Sequence, residues 1–166
     1  TTLADEKGRK TVMDIFKDKV KERIYPVGRL DRNTTGLLLL TNDGDLAKKL
    51  SHPSSKVAKV YHVVTDKAIP EEDMDKIRAG LSLEDGVAEV DALAYIYGVE
   101  AAPTEVAIEI HSGKNRIVRR IFEYLGYQVV KLDRVYYGGL TKKDLTRGRY
   151  RPLTDREIIM LKHFTK

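Results

Sequence analysis

The chain has 166 residues, 42% hydrophobic and 33% charged, a soluble globular balance sized for one domain or for two small subdomains sharing a core. It contains no cysteine, which excludes disulfides and thiolate metal sites and fits a reducing compartment, and its four histidines (His52, His62, His111, His163) are scattered without ligand spacing, so no metal is expected. No apolar run approaches the roughly 18–20 residues that span a bilayer, and the polar opening stretch carries no expected signal peptide.

The formal net charge of +5 is unevenly spread: residues 114–151 hold eleven bases against three acids, whereas residues 70–109 are acidic. A one-sided basic surface is the footprint of a polyanion binder, against which stands the plainer reading of a solvated face.

In chain order, residues 1–10 read as an extended entry. Val12, Ile15, Phe16 and Val20 recur at helical spacing, with Thr11 as N-cap, and predict a helix over 11–23. A short strand is expected over 24–27, then the stretch PVGRLDRNTTGLLLLTND at 26–43, whose four leucines read as a strand buried on both faces. Residues 45–50 form a short helix and 56–65 alternate as a strand. Pro70 opens a helix whose first turn carries Glu71, Glu72 and Asp73 and which Gly80 ends. A hairpin-like connection over 81–86 leads to β-rich segments at 87–98 and 104–111, split at 100–103.

A helix over 115–125 follows, with Ile117, Val118, Ile121, Phe122 and Leu125 apolar and Gly126 past its end. Two strands are expected at 127–132 and 134–137, a turn at Gly138-Gly139, and a last helix over 155–164 capped by Thr154 with Glu157 at the capping-box position. Several strand connections are too short for parallel crossovers. The fold class is therefore α+β with a largely antiparallel or mixed sheet.

Three groups of residues carry chemistry. Asp31 lies between Arg29 and Arg32, which favour its ionised form; it reads equally as a catalytic carboxylate or as the cap of the turn before Thr34 and Gly36. Tyr61, on the 56–65 strand, is either a cross-strand aromatic or a stacking platform for a nucleic-acid base. Lys114, Arg116, Arg119 and Arg120 crowd a helix start, where cations oppose the macrodipole and need compensation, and where phosphate is a natural ligand. Arg119 and Arg120 are adjacent, about 100° apart on a helix, and cannot do the same job. No Gly-rich phosphate loop or Ser-His-Asp pattern occurs, so no nucleotide cofactor is expected.

GRLDRNTTGLLLLTNDGDLAKKLSHP, KVAKVYHV and GKNRIVRRIFEYLGYQVVKLDRVYYGGL, in that order, resemble the rRNA pseudouridine synthases of the RsuA/RluB-like family, and the resemblance runs from Gly8 to Thr154. Pro-Val before Gly28 and Thr-Asn-Asp after the leucines are more similar to the large-subunit branch. The resemblance implies the pseudouridine synthase catalytic fold, with flanking helices and two subdomains around a central active-site cleft. It implies that residues 1–166 are the catalytic domain, without the N-terminal S4-type RNA-binding domain that members usually carry. Asp31 then matches the catalytic aspartate, Arg29 an arginine that helps flip the target nucleotide, and Tyr61 the tyrosine that stacks on the target base. Arg119 matches the arginine that pairs with the carboxylate, and Leu132 an apolar residue of the uracil pocket. Ile117 stands where the family commonly has Gln, which puts any polar role of that Gln in doubt. Lys114, Arg116 and Arg120 are expected to bind RNA phosphates.

The activity implied is a cofactor-free isomerisation of one uridine, in 23S rRNA, by a cytoplasmic monomer that touches no membrane. The competing readings are a 16S rRNA or tRNA uridine as substrate, and a noncatalytic RNA-binding module on the same fold.

Overall fold

The computed structural model describes residues 15–16, 22–96 and 103–165. Most of the helix expected over 11–23 therefore lies outside the described residues; of that range only Ile15, a buried Phe16, Glu22 and Arg23 are described. In chain order the elements are β1 (Tyr25–Pro26), β2 (Thr35–Gly36), β3 (Leu40–Thr41), α1 (Gly44–Ser51), a 3-10 turn (Pro53–Ser55), β4 (Lys59–Thr65), α2 (Glu71–Ala79), β5 (Leu81–Leu83), β6 (Gly86–Ala88), β7 (Ala92–Tyr95), β8 (Glu105–Ile110), α3 (Ile117–Tyr124), β9 (Val129–Tyr137), β10 (Leu140–Thr141) and α4 (Asp155–His163).

β4 is the axis of the main sheet. It pairs antiparallel with β8 on one side and β9 on the other; β7 extends the sheet beyond β8, and β10 lies antiparallel to β9. β2 joins β9 in parallel, which makes the sheet mixed but largely antiparallel, as the short connections predict. β1 and β3 form a separate antiparallel pair, and β5 and β6 a hairpin.

Strand alternation sends Lys59, Tyr61, Val63 and Thr65 to one face of β4. Against that face sit two cores. In the first, Val63, Val106 and Leu132 stand opposite one another across three strands, covered by Met74 and Ile77 of α2 and by Ile117, Val118, Ile121 and Phe122 of α3. Full burial of each large apolar side chain there stabilises the fold by roughly 1.5–3 kcal/mol. The second core gathers Val27, Ala47, Leu50, Val57, Tyr137, Leu140 and Leu161. Its helices are fixed by their caps: the Asp43 side chain accepts from the Leu46 N–H, and Thr154 and Glu157 form the expected capping box. Tyr61 and Lys59 lie on β4 where the two cores meet.

Two expectations need correction. The leucine run is not a strand buried on both faces. Leu37 is bonded to the edge of β9, the Leu39 carbonyl accepts from Val27 N–H at 2.7 Å, and all four leucines are only half-buried. The chain crosses from one sheet to the other within four residues, so no continuous ladder forms and only Leu40 enters β3. Residues 127–137 are also not two strands. β9 runs unbroken from Val129 to Tyr137, absorbing an extra residue against β4 between Arg134 and Tyr136.

Candidate active site

Residues 28–38 leave β1 and return at β3, so their ends are tied together by the β1–β3 pair and by the Val27–Leu39 bond. Their middle is tied a second time, where β2 joins β9 and Leu37 N–H donates to the Arg134 carbonyl at 2.9 Å. Asp31 sits on the free arc between these ties. Its own carbonyl closes a turn by accepting from Thr34 N–H at 2.9 Å, and its carboxylate is about a third exposed at 31%. Gly36 makes the second tie possible: a Cβ there would stand 2.2 Å from the Arg134 carbonyl oxygen, and its φ of +117° suits only glycine.

Two buried arginines hold this loop by its carbonyls. Arg119, 7% exposed on α3, donates from Nη2 to the Asn33 carbonyl at 2.8 Å and from Nη1 to the Val129 carbonyl at 3.4 Å. Arg134, 3% exposed on β9, donates from Nε and Nη2 to the Leu37 carbonyl at 2.9 and 2.6 Å. The loop that carries Asp31 is thus clamped on both sides of β2 by guanidinium groups withdrawn from solvent, a geometry that one flexible ammonium cannot reproduce.

The ion pair to Asp31 differs from the one the resemblance implies. Arg116, not Arg119, makes it, with Nη1 at 3.7 Å from Oδ2. Arg119 lies deeper and directs its two Nη groups to backbone carbonyls, while its buried Nε has no hydrogen-bond partner among the described residues. Arg116 is the N-cap of α3 and sits in the left-handed region at φ 51°, a conformation costly for a side chain with a Cβ and characteristic of functional turns.

Tyr61 stands opposite Ile108 on β8 and opposite Arg134 on β9, immediately beside the register shift, and packs half-buried against the first core. Its hydroxyl makes no hydrogen bond to another described residue. Leu132 is 5% exposed and belongs to that same core, so it backs the site rather than standing open in it. Arg29 is exposed on the loop, two residues before Asp31, with no ion pair to another described residue.

Lys114 and Arg120, expected to bind phosphate, have partners within the protein. Arg120 makes a bidentate pair with Asp85 at 2.8 and 3.1 Å, and Lys114 Nζ donates to the Asp85 carbonyl at 3.0 Å. The β5–β6 turn thereby supplies the compensation that cations at a helix start require, and it holds the Asp85 carboxyl below the usual carboxylate range, chiefly through the Arg120 bond.

Sequence reasoning missed Arg134 and Lys59. Lys59 donates to the Val57 and His111 carbonyls at 3.2 and 3.5 Å, and its Nζ lies 5.9 Å from the centre of the Tyr137 ring, which Arg134 approaches at 5.1 Å. Burial first, and then the Arg134 charge, push the Lys59 ammonium down to about 8. The signal was present in the strand alternation, which sets Arg134 two residues after the buried Leu132. Among the described residues no group of three or more His, Cys, Asp or Glu is placed to hold a metal ion, and no helix is long and apolar enough to cross a membrane.

Residues 2–124 match the family model described as RNA pseudouridylate synthase. The chain is 42% identical over 159 residues to ribosomal large subunit pseudouridine synthase B of Bacillus subtilis, covering 95% of this chain and 65% of that protein. It is 38% identical over 154 residues to an uncharacterised RNA pseudouridine synthase of Aquifex aeolicus, covering 93% of this chain and 61% of that protein. A crystal structure of a pseudouridylate synthase superposes with a TM-score of 0.79 at 30% identity, over 91% of this chain and 65% of that one. The chain thus spans somewhat under two thirds of the length of these relatives.

Proposed function

We propose that this chain, which belongs to the RNA pseudouridylate synthase family, isomerises a uridine of large-subunit ribosomal RNA to pseudouridine, with Asp31 as the reacting carboxylate. The observation that carries the reading is the arrangement of the 28–38 loop: a partly exposed carboxylate on an arc whose backbone is clamped by Arg119 and Arg134, with Arg116 in its ion pair. A name shared by curated relatives, ribosomal large subunit pseudouridine synthase B, supports the choice of RNA.

The reaction conserves composition. The N1–C1′ bond of the uridine breaks, the uracil turns, C5 bonds to C1′, the C5 proton leaves and N1 gains one. No electrons are exchanged with a cofactor. Asp31 serves as nucleophile, at C1′ or at C6 of the base, with Arg116 as its ion-pair partner. The target nucleotide must leave its stack to reach the carboxylate, and Tyr61 offers the flipped base a ring whose hydroxyl bonds no other described residue. Arg29, exposed two residues before Asp31, is the residue we assign to helping flip the target nucleotide. We assign residues 1–166 to the catalytic domain. We further take it to work in the cytoplasm, and as a monomer: among the described residues the large exposed apolar side chains Val87, Tyr124, Val130, Tyr150 and Ile159 come from five separate segments of the chain.

The deciding experiment maps pseudouridine in rRNA from cells lacking the protein, then from the same cells given the unaltered chain or Asp31→Asn. The expected result is one site lost, restored by the unaltered protein and not by Asp31→Asn, while purified Asp31→Asn still binds the RNA. Full restoration by Asp31→Asn would remove the catalytic assignment. Loss of a site in 16S rRNA or tRNA instead would move the substrate, and no lost site at all would leave an RNA-binding module.

A further inference from the structure

The segment between β10 and α4, residues 142–151, is a second basic stretch, and its charges are in a different condition from those of α3. We propose that it is a phosphate-binding strap that grips RNA outside the catalytic loop, a proposal that rests on the reading above for the identity of the polyanion.

Lys114, Arg116, Arg119 and Arg120 all have internal partners, so the helix start offers little unspent charge. The strap is stapled at its two ends by ion pairs of the same kind. At its start Lys142 donates to Asp133 at 2.6 Å, and at its end Arg151 makes a bidentate pair with Glu157 at 2.8 and 2.7 Å. Between the staples the backbone folds into two turns, closed by Leu145 N–H on the Lys142 carbonyl at 2.9 Å and Arg149 N–H on the Thr146 carbonyl at 3.1 Å. Tyr150 packs on Phe16 with ring centres 4.7 Å apart. Lys143, Arg147 and Arg149 project from this fixed frame, exposed, with no side-chain hydrogen bond or ion pair to another described residue; Asp144 is the one acid among them. Three cations on a pre-formed frame, two of them planar guanidinium groups, suit successive phosphates and lose little freedom on binding.

Position joins the strap to the site. The carboxylate that takes Lys142 also accepts from Thr35 Oγ1 at 2.8 Å, and Thr35 lies on the loop four residues after Asp31. Asp133 therefore links the start of the strap to the clamped loop, and RNA held on the strap runs alongside the nucleotide offered to Asp31.

The test measures affinity of the full chain for unmodified, in-vitro transcribed large-subunit rRNA between about 50 and about 200 mM salt. Replacing Lys143, Arg147 and Arg149 together by Ala is expected to flatten the slope of log affinity against log salt by about 2–3 and to weaken binding at least about tenfold. Lys143→Arg, Arg147→Lys and Arg149→Lys together should retain the slope, as should Lys48→Ala with Lys49→Ala on the exposed last turn of α1. An unchanged slope in the Ala variant, an equal loss in the α1 control, or no RNA binding by the unaltered protein would overturn the strap. If the strap governs binding but the unaltered protein makes no pseudouridine, the enzymatic reading falls and the strap stands; pseudouridine formation with an indifferent strap is the reverse.

Discussion

Arg119 and Asn33 are 86 positions apart in the chain and joined by a 2.8 Å bond from guanidinium to carbonyl, two residues beyond the carboxylate on which the proposed chemistry turns. The contact places a helix side chain under the loop that carries Asp31 rather than against its acid. Removing it takes a donor from the part-buried bonds to the carbonyls of Asn33 and Val129. Arg119→Ala is therefore expected to lower unfolding free energy by about 2–4 kcal/mol, and to cut turnover well beyond what the fraction still folded explains. Arg119→Lys should recover stability in part and turnover hardly at all, since one ammonium cannot serve both carbonyls in the same geometry. Urea unfolding and single-turnover assays on the two variants check this; equal activity in Lys and wild type would assign Arg119 to charge alone.

Gly36 is the second support of that loop. Any Cβ there meets the backbone of Arg134 at 2.2–2.8 Å, and backbone cannot step aside as a side-chain tip does. Gly36→Ala should separate β2 from β9, take Leu37 off the Arg134 guanidinium, and cost at least about 2–3 kcal/mol in strain and lost bonds. Hydrogen exchange at Leu37 is the direct readout: it should become fast, and pseudouridine formation should vanish with it.

Local signals in the sequence were read correctly where one element decides the outcome. The capping box of α4, the spacing of Ile117, Val118, Ile121 and Phe122 on α3, and the alternation of β4 are settled by neighbours in the chain. The leucine run was misread because an apolar tetrapeptide has no period of its own; what divides it is the distant edge of β9. The same applies to the α3 cations. Their partners, Asp85 and the Asn33 carbonyl, come from loops tens of residues away, and the left-handed turn that swings Arg116 to Asp31 has no signature in an Asn-Arg-Ile triplet.

Lys59 carries a pH dependence whose sign follows from its burial. Its folded value of about 8 lies below the ordinary 10.5, so the folded protein releases this proton earlier than the unfolded chain. Between about pH 8 and pH 10 the unfolded state binds more protons, and stability rises with pH through that window; below it the burial penalty is fully present. Lys59→Met should flatten the rise. Urea midpoints at stepped pH in both proteins decide it, and the window is clear of Tyr127, which burial, then its bond to Asp73, push up to about 12. A wild-type profile with no rise between pH 8 and pH 10 would refute the assignment.

Asp85 is the partner of two cations at the start of α3. Its carboxylate takes both Nη groups of Arg120 while its carbonyl takes Lys114, on an exposed hairpin turn. Asp85→Ala removes the partner of Arg120 without opening a cavity, so the fold should hold and the guanidinium should turn outward. If internal pairing is what withholds these cations from RNA, the variant must bind large-subunit rRNA more tightly at low salt, with a salt slope steeper by about 1. Thermal melts that match wild type, together with that steeper slope, are the expected pair of results. An unchanged slope would mean that Arg120 lies too far from the bound RNA to reach a phosphate even when released.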